Sequence, residues 1–455
     1  MDRLNLYRKK QLPSGEFLLT VDSGDWLVLS EKKLRLLEKR RYKDDTSLYR
    51  LLRERFMILD KDNSEEYVSR LRESYSHLFT PPSLHIVAVT ARCNLACSYC
   101  HANAKISSDS SLDMDLNTAK RTVDFIFSLK NKSAMIEFQG GEPLLNFETV
   151  RFITEYATKK NKAAKKDLRL SLVTNLTLMD KEKLEFCKKN RIGLCTSLDG
   201  PAMIHDRHRK NPSGEGTHAI VADRVERIRK EHPIEALMVA TKDSLPYPKE
   251  IVDEYDRLGF KTIQLRPFLS LGQAIGKKGL GFTADEYLDF WKIAMERILE
   301  INKRRYFEER YSTYMLKKLF GMRSNFVDLC SPCGAIVSTL AYDHEGKIYS
   351  CDEGRQHEMF CIGDVDKRFE DMLETEKAQC IIRGSVNDCL LCDACAWKPF
   401  CGVCQVCNYA EDGNLVPKLA QDTRCKILDG MFTFLIGKIQ EDEKAFARWV
   451  EDGQY

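Results

Sequence analysis

The stretch "CNLACSYC", residues 93–100, places Cys93, Cys97 and Cys100 in a C-x3-C-x2-C pattern. Thiols this close in one short segment are read first as ligands. Cysteine thiolates hold [4Fe–4S] clusters, normally four to a cluster. Three leave one iron open to a substrate or cofactor. A structural zinc site needs a fourth ligand, which the adjacent His101 could supply. Three buried apolar cysteines are the plainest alternative. A second collection of thiols lies far along the chain: twelve of the 17 cysteines fall between 330 and 425, where helical periodicity weakens. Such a region is usually organised by metal.

Composition sets the frame. The chain has 455 residues, 43% hydrophobic and 31% charged, as soluble globular proteins do. A net charge of +3 gives no argument for a nucleic-acid or membrane partner. The densest basic run, "TKKNKAAKKDLR" (158–169), reads as a solvated helix face. The start, "MDRLNLYRKK", lacks the apolar stretch of a signal peptide. No window reaches the roughly 18 apolar residues of a membrane helix. The expected location is the cytoplasm, where thiols stay reduced and clustered cysteines are metal ligands rather than disulfides.

The elements that must position these thiols follow from periodicity. Six strands are expected at 84–91, 134–140, 168–175, 193–200, 235–241 and 262–267, with helical segments such as 116–130 and 146–160 between them. Repeated βα units imply a parallel sheet, and six units point to a partial (β/α)6 barrel. The three cysteines then fall in the first βα loop, at the C-terminal mouth where such folds place their active sites. Residues 1–82 read as a separate module with two β-rich runs in "EFLLTVDSGDWLVLS" and two helical segments. Residues 83–282 form the barrel, 283–325 a helical bridge, and 326–455 a cysteine-rich domain with one closing helix.

The three-cysteine loop, with Tyr99 inside it, resembles the radical SAM superfamily. "GGEPLL" (140–145), "TN" (174–175), "SLDGP" (197–201) and "HDRHR" (205–209) match further segments of that family, three of them ending expected strands. The resemblance implies a [4Fe–4S] cluster on Cys93, Cys97 and Cys100 whose fourth iron chelates S-adenosylmethionine. It implies cofactor contacts from Tyr99, Gly140, Gly141, Glu142, Asn175, Ser197, Asp199 and Arg209. The residue types suit this: glycines permit close backbone approach, Glu142 can pair with an ammonium group, Asn175 and Ser197 offer neutral donors and acceptors, and Asp199 could take ribose hydroxyls. The family's chemistry is reductive cleavage to a 5′-deoxyadenosyl radical that takes a hydrogen atom from the substrate.

The C-terminal spacing resembles the SPASM extension of radical SAM peptide-modifying enzymes, which carries two auxiliary [4Fe–4S] clusters. Cys333 is followed by Gly346 and Cys351, then comes "CLLCDACAWKPFCGVCQVC" (389–407), then Cys425. By position, Cys392, Cys395, Cys401 and Cys425 would hold the outer cluster, and Cys330, Cys333, Cys351 and Cys404 the inner one, with Cys407 as the alternative fourth ligand. Zinc knuckles are the rival for this region. Cys187 and Cys195 read as core packing; Cys361 and Cys380 fit no pattern. In "CDEGR" (351–355), the position after a ligand carries a proton-exchanging aspartate in related sulfatase maturases, which makes Asp352 a candidate base and Glu353 a second. A turn aspartate is the bland reading.

Longer strings, among them "IEFQGGEPLLNFETVRFI" and "TSLDGPAMIHDRHR", resemble the peptide maturases of His-Xaa-Ser systems. The first module resembles the small winged-helix domain by which such enzymes add a leader peptide as a strand to a free sheet edge; "FLLTV" or "DWLVLS" could be that edge. The implied function is oxidative modification, above all crosslinking, of a ribosomally made precursor peptide, with flavodoxin or ferredoxin as reductant. Formylglycine formation on a sulfatase-type protein and a non-catalytic iron–sulfur scaffold are the alternatives.

Overall fold

The computed structural model describes residues 2–277, 279–322, 329, 332–384, 390–416 and 422–452. Near the N-terminus, β1 (Arg8–Gln11), β2 (Phe17–Thr20) and β3 (Trp26–Leu29) form an antiparallel sheet in that order. Gly24, at φ 88°, makes the turn between β2 and β3, a conformation glycine adopts at little cost. Helices α1 (Glu31–Glu38), α2 (Thr46–Glu54) and α3 (Ser64–Ser74) follow. Leu19, Leu27, Leu34, Leu37, Leu48 and Leu52 give this part its own apolar core. "FLLTV" is not an edge: β2 is central, because the charged segment Arg8–Gln11, silent in apolar alternation, pairs with it. β3 is the strand left at the side.

All six expected strands are present, shifted by a few residues. They are β4 (Leu84–Ala88), β5 (Ser133–Gln139), β6 (Asp167–Thr174), β7 (Ile192–Ser197), β8 (Ile234–Ala240) and β9 (Leu265–Pro267). Each pairs in parallel with the next. Helices cross between them: α4 (Leu116–Ser128), α5 (Phe147–Ala164), α6 (Lys181–Lys189), α7 (Ala202–His208) with α8 (His218–Ile228), and α9 (Pro248–Arg257). Asp115 and Asp180 start α4 and α6 by accepting from the Thr118 and Lys183 amides. Strand alternation gives the sheet two faces. Ala134, Ile136 and Phe138 of β5 are buried, as are Leu170 and Leu172 of β6. Met135, Glu137, Gln139, Ser171 and Val173 on the other face are half-exposed. Glu137 on β5 and Arg266 on β9 stand four strands apart, about 19 Å in a flat sheet. They nevertheless lie close enough to shift each other's proton affinity, so the sheet curls into a partial barrel around an open lumen.

The C-terminal region is continuous with this sheet, where a separate domain was expected. β10 (Thr339–Tyr342) adds in parallel to β4, and β11 (Lys347–Tyr349) and β12 (Cys361–Asp364) extend it antiparallel, giving nine strands. α10 (Ala284–Asn302), begun by the reciprocal Thr283–Glu286 capping box, and α11 (Arg310–Leu319) form the bridge. The tail is two helices rather than one, α12 (Thr423–Glu441) and α13 (Glu443–Asp452), broken at Asp442. Among the described residues no helix is long and apolar enough to cross a membrane.

Candidate active site at the barrel mouth

The loop after β4 is held by backbone bonds at almost every step. Cys93 N donates to Lys105 O (2.8 Å), Ala96 N to Lys210 O (2.8 Å) and Ser98 N to His208 O (3.0 Å). Gln273 N reaches Cys100 O (3.0 Å) from beyond β9. Arg92 fixes the loop's start by pairing with Asp113, and Asn94 donates to Thr177 Oγ1 (2.8 Å). Cys93, Cys97 and Cys100 are all half-buried and free of disulfides. Burial pushes the Cys93 thiol up to about 12 and the Cys97 thiol up to about 11. As bare thiols Cys93 and Cys97 are protonated and unreactive; metal binding is what makes such thiols thiolates.

The strand ends close on this loop. Gly141 N donates to Thr90 O (2.9 Å) and Glu142 N to Arg92 O (2.8 Å). A Cβ at Gly140 or Gly141 would overlap the Thr90 or Arg92 carbonyl. The backbone these glycines admit is therefore that of the cysteine loop itself. Glu142 is fully buried. Its oxygens accept from Thr174 Oγ1 (2.6 Å), Leu144 N (3.0 Å) and Asn175 N (2.8 Å), tying the end of β5 to the end of β6. Burial lifts its carboxyl to about 7 despite those donors. Asn175 Nδ2 donates to Asn94 Oδ1 (2.9 Å) and comes within 4.0 Å of Cys93 Sγ. Ser197, last in β7, is half-exposed.

Asp199 and Arg209 are both buried and paired, Nε to Oδ2 at 2.9 Å. Tyr99 donates to the same carboxylate, and the Arg209 guanidinium lies 5.1 Å from the Tyr99 ring centre. Arg209 also lies near enough to Cys97 to lower the proton affinity of its thiol. One buried charge pair thus links the cysteine loop, the end of β7 and the end of α7.

Residues 87–243 match the radical SAM superfamily. The chain carries a radical SAM domain. A cysteine-type anaerobic sulfatase-maturating enzyme from Clostridium perfringens strain 13 is 27% identical over 354 residues, 74% of this chain and 92% of the relative. The fold resembles the solved structure of native anSMEcpe with bound AdoMet, with a TM-score of 0.69 and 24% identity over 79% of this chain and 98% of that one. It also resembles SuiB of Streptococcus suis, solved with S-adenosylmethionine and with its precursor peptide SuiA, with a TM-score of 0.56 and 15% identity over 93% of this chain and all of that one.

The radical SAM family implies S-adenosylmethionine and one [4Fe–4S] cluster, and the mouth of this domain fits them. Three free thiols share one loop, Asn175 and Ser197 stand half-exposed beside it, and the Arg209 guanidinium lies near Cys97. Among the described residues no three Cys, His, Asp or Glu side chains converge as ligands to a single ion do. Ligands to a four-iron cluster bind different irons and stand further apart.

Several C-terminal thiols lie near one another among the described residues. Cys351 is buried, with Cys404 and Cys333 near enough to raise its proton affinity. Cys401, pushed up to about 12 by burial, has Cys425 and Cys395 as neighbours. Cys395 N donates to Cys392 O (3.1 Å). Asp422 caps α12 and sets Cys425 in its first turn. Cys407 lies beside Cys404 and lowers the proton affinity of that thiol, while Arg424 lies 3.6 Å from Cys407 Sγ. Cys404 is therefore the one of the two that neighbours Cys351. Cys330 lies outside the described residues.

Asp352 is not a surface turn residue. It is buried, clasped by Arg355, and its Oδ2 is 3.4 Å from His101 Nε2, directly after the cysteine loop. Burial raises its carboxyl, but Arg355 and His101 more than offset that and hold it well below the usual carboxylate range. Glu353 lies 3.4 Å from Arg266 of β9. Cys187 packs in the core as expected, but Cys195 does not. It lies among Glu137, Arg266 and Arg310 on the half-exposed face of β7. Arg266, Arg355 and the pair Glu137–Gln139 escaped the sequence reading, and His101 entered it only as a possible zinc ligand. Of those that escaped, the pair alone left a signal, two polar residues two apart in an otherwise apolar strand.

Proposed function

We propose that this radical SAM enzyme modifies a ribosomally made peptide, forming an oxidative crosslink. The observation that carries this reading is a groove of about 590 Å³ along β3, lined by Trp26, Leu27 and Val28, by Arg70 and Ser74 of α3, and by Phe320 after α11. Among the described residues no strand pairs with the outer edge of β3. Val21 N donates to Asp25 O, and antiparallel bonding alternates. The backbone groups of Trp26 and Val28 therefore face that edge, open to a leader peptide added as a strand. Residues 1–82 would be the recognition module and 326–455 a SPASM domain. The likeness to SuiB, an enzyme solved with a precursor peptide, takes in more of the chain than the likeness to anSMEcpe.

When bound, S-adenosylmethionine on the cluster supplies a radical that takes a hydrogen atom from the substrate. The chain's own residues do the rest. Cys93, Cys97 and Cys100 hold the cluster. Tyr99, Gly140, Gly141, Glu142, Asn175, Ser197, Asp199 and Arg209 shape the cofactor's seat, Glu142 and Asp199 by fixing their neighbours. Cys392, Cys395, Cys401 and Cys425, and Cys330, Cys333, Cys351 and Cys404, would hold two auxiliary clusters that accept the electron released on ring closure. Asp352, kept ionised beside His101, is placed to receive a proton, with Glu353 behind it. Flavodoxin or ferredoxin would be the reductant.

A sulfatase-type activity on a protein cysteine or serine is the second reading, favoured by the Clostridium relative's coverage. Anaerobic coexpression with neighbouring short reading frames separates the two. A peptide lighter by two hydrogen atoms supports the first reading, and Val28→Pro should cut that product roughly fivefold by removing one edge N–H worth about 1 kcal/mol. Modification of a sulfatase alone overturns it.

A further inference from the structure

Four carboxylates gather about the barrel lumen, and three are ion-paired. Asp352 is clasped by Arg355 and Glu353 meets Arg266. Glu235, on the same face of β8, pairs with Arg310 and leaves the balance unchanged. Glu137 differs. It stands half-exposed on β5 between the buried Ile136 and Phe138. Its Oε1 accepts from Gln139 Nε2 (2.7 Å) and its Oε2 from Ser171 Oγ on β6 (3.2 Å). Both donors are neutral; Arg266 lies near enough to favour the carboxylate, but its ion pair is with Glu353 at 3.4 Å.

We infer that Glu137 anchors a cationic side chain of the substrate, an ammonium or guanidinium set in the lumen near Asp352. The inference rests on the peptide-modifying reading and names the class of residue the lumen accepts. A partly buried carboxylate with no ion-pair partner of its own is costly. Four carboxylates against three guanidiniums leave one negative charge, which a ligand cation would balance. Burial raises the Glu137 carboxyl and the charge of Asp352 adds to this, while Gln139, Ser171 and the nearby Arg266 only partly offset it. Each carboxylate oxygen can accept more than the one bond it has here, so acceptor capacity remains. Gln139 and Ser171 hold the carboxylate in place beforehand, which spares that cost on binding. The walls suit the rest of such a side chain. Met135, Val173 and Leu237 share the half-exposed face, and the methylene stem of a lysine or arginine packs on apolar surface while its head stays polar.

The test uses anaerobically reconstituted holoenzyme and four peptides, acetyl-Gly-Gly-Xaa-Gly-Gly-amide with Xaa as Lys, Arg, Gln or norleucine. Binding is read by equilibrium dialysis with and without S-adenosylmethionine. The Lys and Arg peptides should bind at least about tenfold tighter than the other two, and Glu137→Gln should abolish the difference. Equal affinities, no measurable binding of the cationic peptides, or a preference that survives Glu137→Gln overturns the inference. A preference that vanishes when S-adenosylmethionine is added assigns the charge to the cofactor and overturns it equally. The wild-type series decides the matter even if the variant folds poorly. Failure of S-adenosylmethionine cleavage would defeat the radical reading while leaving this binding series intact.

Discussion

The barrel mouth and the C-terminal cysteine region both gather thiols, but they hold them differently. At the mouth, the cysteine loop is tied by backbone bonds to the segments after β5, α7 and β9, and through Tyr99 to one buried ion pair. In the C-terminal region, short helices such as Phe369–Leu373 and Gln405–Asp412 alternate with loops. The cysteines there are fixed by a helix cap at Asp422 and by neighbouring thiols. The first site is built by the fold. The second has less regular structure behind it, and under the proposed function it would depend on the groups its thiols bind, as small metal-organised regions do.

Stability measurements sharpen this contrast. Asp199→Ala leaves Arg209 buried and unpaired, and should cost about 3–5 kcal/mol by denaturant unfolding. A loss below about 1 kcal/mol would mean that the pair does not hold the mouth together. Glu142 should produce a pH slope. Its carboxyl titrates near 7 in the folded protein and near 4.5 in the unfolded chain, so between those values the folded state binds the extra proton. Stability should fall as pH rises through that window, by about 3 kcal/mol in all. Glu142→Gln should flatten the slope, and an unchanged slope would contradict the assignment. Gly141→Ala forces a Cβ onto the Arg92 carbonyl and should cost about 1–3 kcal/mol by thermal unfolding; an unshifted midpoint would deny the close approach. In the C-terminal region, Lys398→Met breaks a pair with the exposed Asp393 and should change stability by less than about 1 kcal/mol. An effect as large as that of Asp199→Ala would erase the contrast.

The sequence exposed the part of the molecule built on long alternating strands. All six parallel strands and the loop that carries Cys93, Cys97 and Cys100 were legible because each strand runs as an apolar segment ending in a turn. The added strands β10 to β12 were not, because Thr339–Tyr342 and Lys347–Tyr349 are too short to show a period and gain their identity from β4. β1 escaped for the opposite reason, since "RKKQ" carries no apolar signal and is recruited by β2. Roles followed the same line. The residue types of Glu142 and Asp199 marked the site, but that both are spent on bracing it depends on partners in other strands, Thr174 and Arg209.

The central claim is that the barrel mouth is a complete radical-generating centre that does not need the C-terminal thiols for its first step. Release of 5′-deoxyadenosine from S-adenosylmethionine by reduced, reconstituted protein tests it directly in wild type, Cys97→Ala and Cys401→Ala. The account predicts release by wild type, none by Cys97→Ala, and release retained by Cys401→Ala, with peptide modification lost in both variants. Release by Cys97→Ala at the wild-type rate would contradict it.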